Sequence, residues 1–297
     1  GQQIAQELVK PVTVTGSPYE KVRPRQWSYE HGGLITSFED FEAFPWPRAG
    51  SGTLRVHCAG LDSLPIDEAV HQITQALPEG MGLILMTDGI FERFTKDLMG
   101  YEMFCSKLYD EPELVWRMFA TVGELWLALY EQVAALPRVS ALWLADDIAY
   151  GQGLMFSPHI MRQHLFPWYR RIGEVAARYD MPFLFHSDGD LRPIIDDLIA
   201  CGFNALQPIE PKGMDIAELK RDYGDRLCLV GNIDLGSTLT LGTPDDVRAE
   251  VRERIRVVAP GGGYCVGSSN TVTNYVPLPN VMAMLEATFE YGRYPIC

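Results

Sequence analysis

PFLFHSDGDLRPIIDDLIACGFNALQPIEPKGMDIAELKRDYGDRLCLVGNID, residues 182–234, is the stretch on which the fold turns. Pro182–Phe185, Asn204–Leu206 and Leu227–Val230 are short apolar runs, each closed by polar residues. Such runs predict strands buried on both faces. The first is followed by a helical pattern to about Cys201, the second by one from about Asp215. Strand, polar loop, helix, repeated with one polarity, demands parallel pairing through helical crossovers.

The same rhythm extends in both directions. Upstream, Leu83–Met86 and Ala141–Ala145 read as strands buried on both faces, with Thr87-Asp88-Gly89 and Asp146-Asp147 at their ends. Helices are predicted over Ile90–Leu98, from Pro112 to Leu136, and from the cap Ser157-Pro158 towards Tyr179. Downstream, Thr243-Pro244-Asp245-Asp246 caps an Arg-rich helix read as a solvated outer face, its arginines interleaved with Glu250 and Glu253. Gly263–Val266 is a last strand, followed by a polar loop over 267–274 and a helix from about Pro279 to Tyr291. Polar residues bunch after every strand, where a (β/α) barrel carries its site. An open doubly wound sheet is the competing architecture, but no G-x-G-x-x-G turn follows the first strand. The expected fold is therefore α/β, a TIM-type barrel. Residues 1–52 form an N-terminal extension and 53–297 the barrel, within one structural domain. In the extension, Phe38, Phe41, Phe44 and Trp46 read as an aromatic wrap, and Val22–Trp27 as a small basic and aromatic patch.

Composition narrows the classes. At 47% hydrophobic and 22% charged, the chain has enough apolar content to exclude a disordered or fibrous protein. Twenty-five Lys and Arg against 39 Asp and Glu leave a net charge of −14, which opposes a broad nucleic-acid footprint. Six cysteines without a C-x-x-C pair predict reduced thiols. No apolar run approaches the roughly 18 residues of a membrane span, and Gly1–Lys10 is too polar for a signal peptide. The expectation is a soluble, cytoplasmic protein without a membrane or nucleic-acid partner. A chain opening on Gly1 is expected to be processed or a fragment.

Asp146, Asp147, His186, Asp188, Glu210, Asn232, Asp234 and Asn270 all fall at strand ends, so a closed barrel would converge them on one mouth. The ordinary reading of Asp or Asn after a strand is a helix cap, and it applies to Asp88, Asp190 and Asp234. His186, ending an apolar strand and followed by Ser-Asp-Gly-Asp, has the pattern of a site. Strand alternation sends one of Asp146 and Asp147 inward and the other outward, without saying which. Glu210 is a candidate acid, base or ligand, or a partner of Lys212; Tyr150 offers a hydroxyl from the loop after Asp147.

Residues 182–234 resemble the uroporphyrinogen decarboxylase superfamily, which holds haem-pathway decarboxylases and methylcobamide-dependent methyltransferases acting on thiols. DDIAYGQGLMFSPHIMRQHLFPWYRRI, GTPDDVRAEVRERI and APGGGY are similar to its flanking elements, and the resemblance runs from about Thr36 onward. It implies a distorted (β/α)8 barrel with its site at the strand C-terminal ends. The decarboxylases open with an RQAGRY-type motif whose arginines grip substrate carboxylates; Arg23 and Arg25 stand in VRPRQW, which does not match. The methyltransferases hold zinc with H-x-C on one strand end and a Cys after the last strand. By resemblance His186 is the first ligand, and Asp188 stands where the first Cys belongs. Ser269 or Asn270 occupies the last position, with Cys265, earlier in the strand, as a possible third ligand or a buried structural thiol. A carboxylate in place of a thiolate makes a harder site.

These features imply a metal-assisted, corrinoid-dependent methyltransferase acting on a small molecule. Asp146, Asp147, Glu210, Tyr150 and Asn270 are its candidate catalytic residues, Asn232 and Asp234 its cofactor-binding residues, and His186, Asp188 and Cys265 its zinc ligands. The methyl-carrying corrinoid would ride on a partner protein, and a homodimer is an open possibility. The alternatives are a cofactor-free porphyrinogen carboxy-lyase and a non-catalytic ligand-binding barrel.

Overall fold

The computed structural model of the chain describes residues 33–47, 55–56 and 64–296. The readings placed on Gly1, Val22–Trp27, Arg23 and Arg25, Cys58 and Cys297, and on most of the expected 1–52 extension, lie outside the described residues. The chain divides into two compact units.

One unit runs up to Asp146 and includes His159–Met181. It begins with α1 (Phe38–Ala43), capped by the Ser37 hydroxyl, which accepts from the Asp40 N–H at 3.1 Å. Its Phe41 packs on Trp46 at 5.3 Å and lies under the Arg117 guanidinium at 4.8 Å, so these aromatics are packing groups. A two-residue antiparallel bridge, β1 (Arg55–Val56) with β2 (Leu64–Pro65), precedes α2 (Ile66–Ala76). Next come β3 (Leu83–Asp88) and α3 (Ile90–Arg93), the latter continuing as a π-helical turn through Phe94–Leu98. Then follow α4 (Tyr101–Asp110), the 23-residue α5 (Pro112–Ala134) with proline at its first position, β4 (Val139–Ala145) and α6 (Phe166–Arg178). The strands β3 and β4 pair in parallel, with Asp88 opposite Ala145. The prediction that Leu83–Met86 is buried on both faces is corrected. Ile84 and Met86 are 55% and 59% exposed. The residues of β3 alternate, and among the described residues the Ile84–Met86 face carries no packed layer.

The other unit comprises 147–158 and residues from Pro182 onward. A small hairpin, β5 (Ala149–Tyr150) with β6 (Gly153–Leu154), is followed by β7 (Phe183–His186), α7 (Ile195–Ala200), β8 (Ala205–Gln207), α8 (Ile216–Tyr223) and β9 (Cys228–Ile233). A π-helical turn, Leu235–Thr240, leads to α9 (Pro244–Val258), then β10 (Tyr264–Ser268) and α10 (Leu278–Tyr291). A reciprocal capping box between Thr243 and Asp246 starts α9. Arg254 and Arg256 pair with Glu250 and Glu253 along that helix, while Val247, Val251 and Ile255 turn inward, as the periodicity predicts.

The four strands pair in parallel in the order β10-β9-β8-β7. Their register sorts the side chains. Ile233, Tyr264 and Val266 face the helices and pack with Val251, Ile255, Ala283 and Ala287. Leu184, His186, Gln207, Cys228, Val230, Asn232 and Cys265 share the opposite face. One contact braces the strand ends. A Cβ at Gly231 (φ 137°) would lie 2.1 Å from the Pro208 carbonyl oxygen, so β9 meets the turn after β8 where only glycine fits. The neighbouring Asn232 amide donates to the Ile209 carbonyl at 3.0 Å.

The strand–helix alternation and the parallel pairing make this an α/β fold of the TIM-barrel type; a closed barrel is not formed among the described residues. The described cysteines are free thiols. No helix among the described residues is long and apolar enough to cross a membrane.

A candidate metal site at the end of strand β7

Phe183, Leu184 and Phe185 are buried, and His186 is the residue at which β7 leaves the core. The next turn is shaped by Gly189 (φ 86°), whose Cβ would lie 2.4 Å from the Tyr150 carbonyl oxygen. The β7 loop is thus laid against the β5–β6 hairpin, and the Asp190 N–H donates to that same carbonyl at 3.3 Å. The Ser187 hydroxyl, buried beneath, accepts from the Ile148 N–H at 3.1 Å and donates to the Asp188 carbonyl at 2.9 Å. These bonds hold Asp147 and Asp188 side by side: Asp147 Oδ1 accepts from the Asp188 N–H at 3.0 Å.

The result is a cluster of Asp147, His186 and Asp188 whose potential ligand atoms all lie within 4.8 Å of one another. His186 Nε2 faces Asp147 Oδ1 at 3.6 Å. The other ring nitrogen, Nδ1, bonds Gln207 Oε1, which can only accept; Nδ1 therefore carries a proton, and Nε2 is the nitrogen turned to the cluster. Asn270, from the loop after β10, donates its amide to both Asp188 oxygens at 3.1 and 2.9 Å. Burial pushes the Asp188 carboxyl up to about 6, and the Asp147 carboxylate adds to the rise, with Glu210 contributing further; His186 and Asn270 act in the opposite sense. Two carboxylates gathered beside one imidazole nitrogen leave an electrostatic deficit that a cation corrects. One nitrogen and two carboxylate donors form a hard set, suited to a divalent ion, and the Gln207 bond supplies the outer partner that fixes a ligating histidine.

The remaining predicted residues separate. Asp146 is fully buried and accepts from the Phe91 N–H (3.0 Å), the Glu92 N–H (2.7 Å) and the Tyr169 hydroxyl (2.6 Å). It caps α3, and a Cβ at Gly89 would collide with its carboxylate carbon at 1.9 Å. Alternation is resolved: Asp147 joins His186, and Asp146 serves the helix. Tyr150 contributes its carbonyl, its ring being exposed. Asp234 caps the turn after β9, accepting from the Gly236 and Ser237 N–H groups at 2.7 and 3.0 Å. Burial raises its carboxyl, but the bonds from Ser237 and Gly236 outweigh that and hold it below the ordinary value. Asn232 is buried with its Oδ1 lacking a hydrogen-bond partner, an orphan acceptor on the face that carries His186. Among the described residues no ion pair joins Glu210 to Lys212.

Cys265 is not brought to the cluster. It is the second residue of β10, and its Sγ lies 3.9 Å from that of Cys228, the first residue of β9; the residue that stands with His186 and Asp188 in the cluster is Asp147. Gln207 was not singled out from sequence. Its signal was available in principle, because parallel register puts the last residue of β8 beside the last of β7.

Residues 61–291 match the family model described as uroporphyrinogen decarboxylase (URO-D). The methylcobamide:CoM methyltransferase MtaA of Methanosarcina barkeri is 33% identical over 152 residues, covering 50% of this chain and 41% of that protein. A uroporphyrinogen decarboxylase of Chlorobaculum tepidum is 24% identical over 197 residues, covering 64% and 53%. The solved structure of a methyltransferase from Methanosarcina mazei superposes with a TM-score of 0.65 at 22% identity, over 84% of this chain and 71% of that one. The chain spans about half the length of the curated relatives it matches. It belongs to the uroporphyrinogen decarboxylase family.

Proposed function

We propose that this member of the uroporphyrinogen decarboxylase family is a metal-assisted methyltransferase that moves a methyl group between a corrinoid and a small acceptor. The observation that carries the reading is the Asp147–His186–Asp188 cluster, with its ligand atoms within 4.8 Å and the histidine Nε2 turned into it. A cofactor-free carboxy-lyase needs no such set, and the relative whose printed name is a methylcobamide:CoM methyltransferase is the more similar of the two kinds compared.

His186 Nε2, Asp147 Oδ1 and an Asp188 oxygen would hold the metal. A divalent cation there supplies Lewis acidity, lowering the pKa of a thiol or hydroxyl acceptor so that it is nucleophilic at neutral pH. The chain's own groups supply the rest. Gln207 fixes the imidazole tautomer, and Asn270 orients the Asp188 carboxylate. Among the described residues no hydrogen bond holds the Glu210 carboxylate, so it is the group assigned to take the acceptor's proton. The buried, unpartnered Asn232 Oδ1 is assigned to accept a hydrogen bond from the bound molecule. The corrinoid would be delivered by a carrier protein, and the chain could act as a homodimer.

The test is methylcobalamin demethylation by the full chain, followed by absorbance, with small thiol and alcohol acceptors and with zinc or manganese. The expected result is metal-dependent demethylation that falls by at least roughly 1000-fold in His186→Ala, the loss of a metal-held nucleophile. No demethylation under any combination, or activity indifferent to His186→Ala, overturns the reading. Coproporphyrinogen formed from uroporphyrinogen would replace it with the carboxy-lyase.

A further inference from the structure

A second set of metal-binding side chains sits at the other end of the same strands. Cys228 opens β9, and Cys265 stands on β10 opposite Val230, so the register puts both thiols on the face that also carries His186. Their sulfurs are 3.9 Å apart; Cys228 is partly exposed and Cys265 is exposed. We propose that Cys228 and Cys265 form a two-thiolate site for a soft, thiophilic metal cation, separate from the oxygen-rich cluster at His186.

Distance decides between a shared ion and a disulfide. Two thiolates about 2.3 Å from one tetrahedral ion stand about 3.8 Å from each other. A disulfide requires about 2.05 Å. At 3.9 Å the pair stands at the spacing of two ligands on one ion, well beyond a covalent S–S length. The two sulfurs are already in S–H···S contact, and the Lys220 ammonium nearby is anchored by donating to the Gly262 carbonyl at 2.6 Å. Entry of a divalent soft cation would displace the thiol protons to solvent and leave a neutral ion–dithiolate unit, with solvent or a small thiol filling the outer positions.

The experiment is a cadmium titration of the full chain, reduced with a phosphine in thiol-free buffer and read by the thiolate-to-cadmium charge-transfer band. Wild type and His186→Ala are expected to give the same band, which separates this site from the cluster of the proposed function. Cys228→Ser and Cys265→Ser are each expected to bind at least roughly 100-fold more weakly, because a second tethered donor is lost. Cys105→Ser is expected to change nothing. X-ray absorption on the wild-type complex should find two sulfurs per cadmium, a reading that depends on no variant folding. A band that survives in either serine variant, a band absent from wild type, or fewer than two sulfurs per cadmium overturns the proposal.

Discussion

One face of the β10-β9-β8-β7 sheet carries two donor sets of opposite chemical character. Where β7 ends, a nitrogen and two carboxylates gather within 4.8 Å, held by hydrogen bonds to Gln207 and from Asn270. Where β9 and β10 begin, two sulfurs stand 3.9 Å apart with one thiol bonded to the other. The upper set joins a strand's last residue, His186, to two loop carboxylates and is fixed by outer partners. The lower one is built from strand positions and fixed by register alone. The contrast teaches that ligand geometry has two sources: a loop must be pinned by added bonds, whereas adjacent parallel strands hold two side chains in place through the ladder itself.

The most damaging single change to the upper set should be Asp188→Asn. It removes a ligand charge and is expected to weaken manganese or zinc binding by roughly 1000-fold, on the principle that a divalent site loses most of its affinity with an ionised ligand. Calorimetric titration measures this, and the cadmium–thiolate band should stay as it was; a change in both would mean the two sets are not separate. Gln207→Leu should follow, with a loss of roughly 10–100-fold, the usual cost of removing the partner of a ligating histidine. Gln207→Glu, which still accepts from Nδ1, should recover most of that loss, whereas equal losses in both variants would assign Gln207 to packing. The reverse test exchanges the sets: Cys228→Ser should leave manganese affinity within about twofold, as expected for independent sites.

The smallest effect is in pH dependence. Asp188 is raised to about 6 in the folded chain from an ordinary 3.8. Between those values the folded state holds more protons than the unfolded, so this group contributes a loss of stability as pH rises from about 4 to about 6, and the loss persists above 6. In metal-free protein, Asp188→Asn should therefore unfold a few degrees above wild type at pH 8, with the gap closing towards pH 4.5. Thermal unfolding across that range checks it. Parallel curves would remove the electrostatic deficit on which the upper set was argued, and added manganese should narrow the gap at high pH by stabilising only the wild type.

The fold was legible where local signals agreed. Apolar runs, caps such as Thr243-Pro244-Asp245-Asp246 and the proline at the start of α5 gave the order and polarity of elements. The exposure of Ile84 and Met86 was not legible, because an apolar run does not reveal whether a layer covers each face. In the candidate site, His186 is legible from its place at the end of an apolar strand, and Asp188 only through the resemblance to the family's H-x-C position. The choice between Asp146 and Asp147 is not legible, since both are acidic and alternation only says that they diverge. Whether Cys265 reaches the cluster is not legible in the sequence, because its position along β10 depends on where the strand begins. Its partner Cys228 is 37 residues away in sequence and became a neighbour only through the β9–β10 register.

The tight approach of Gly231 to Pro208 reaches further than its place beneath the site suggests. Pro208 follows Gln207, and Gln207 sets the proton on His186, so a single added methyl group at position 231 would be transmitted outward along three consecutive neighbours. Gly231→Ala should cost about 2 kcal/mol or more, as overpacking does. In a mutational scan it would score as a metal-binding position despite carrying no donor atom. Ranking residues by distance from the presumed ion would overlook it. In this chain, tolerance to substitution should track who braces whom at the strand ends.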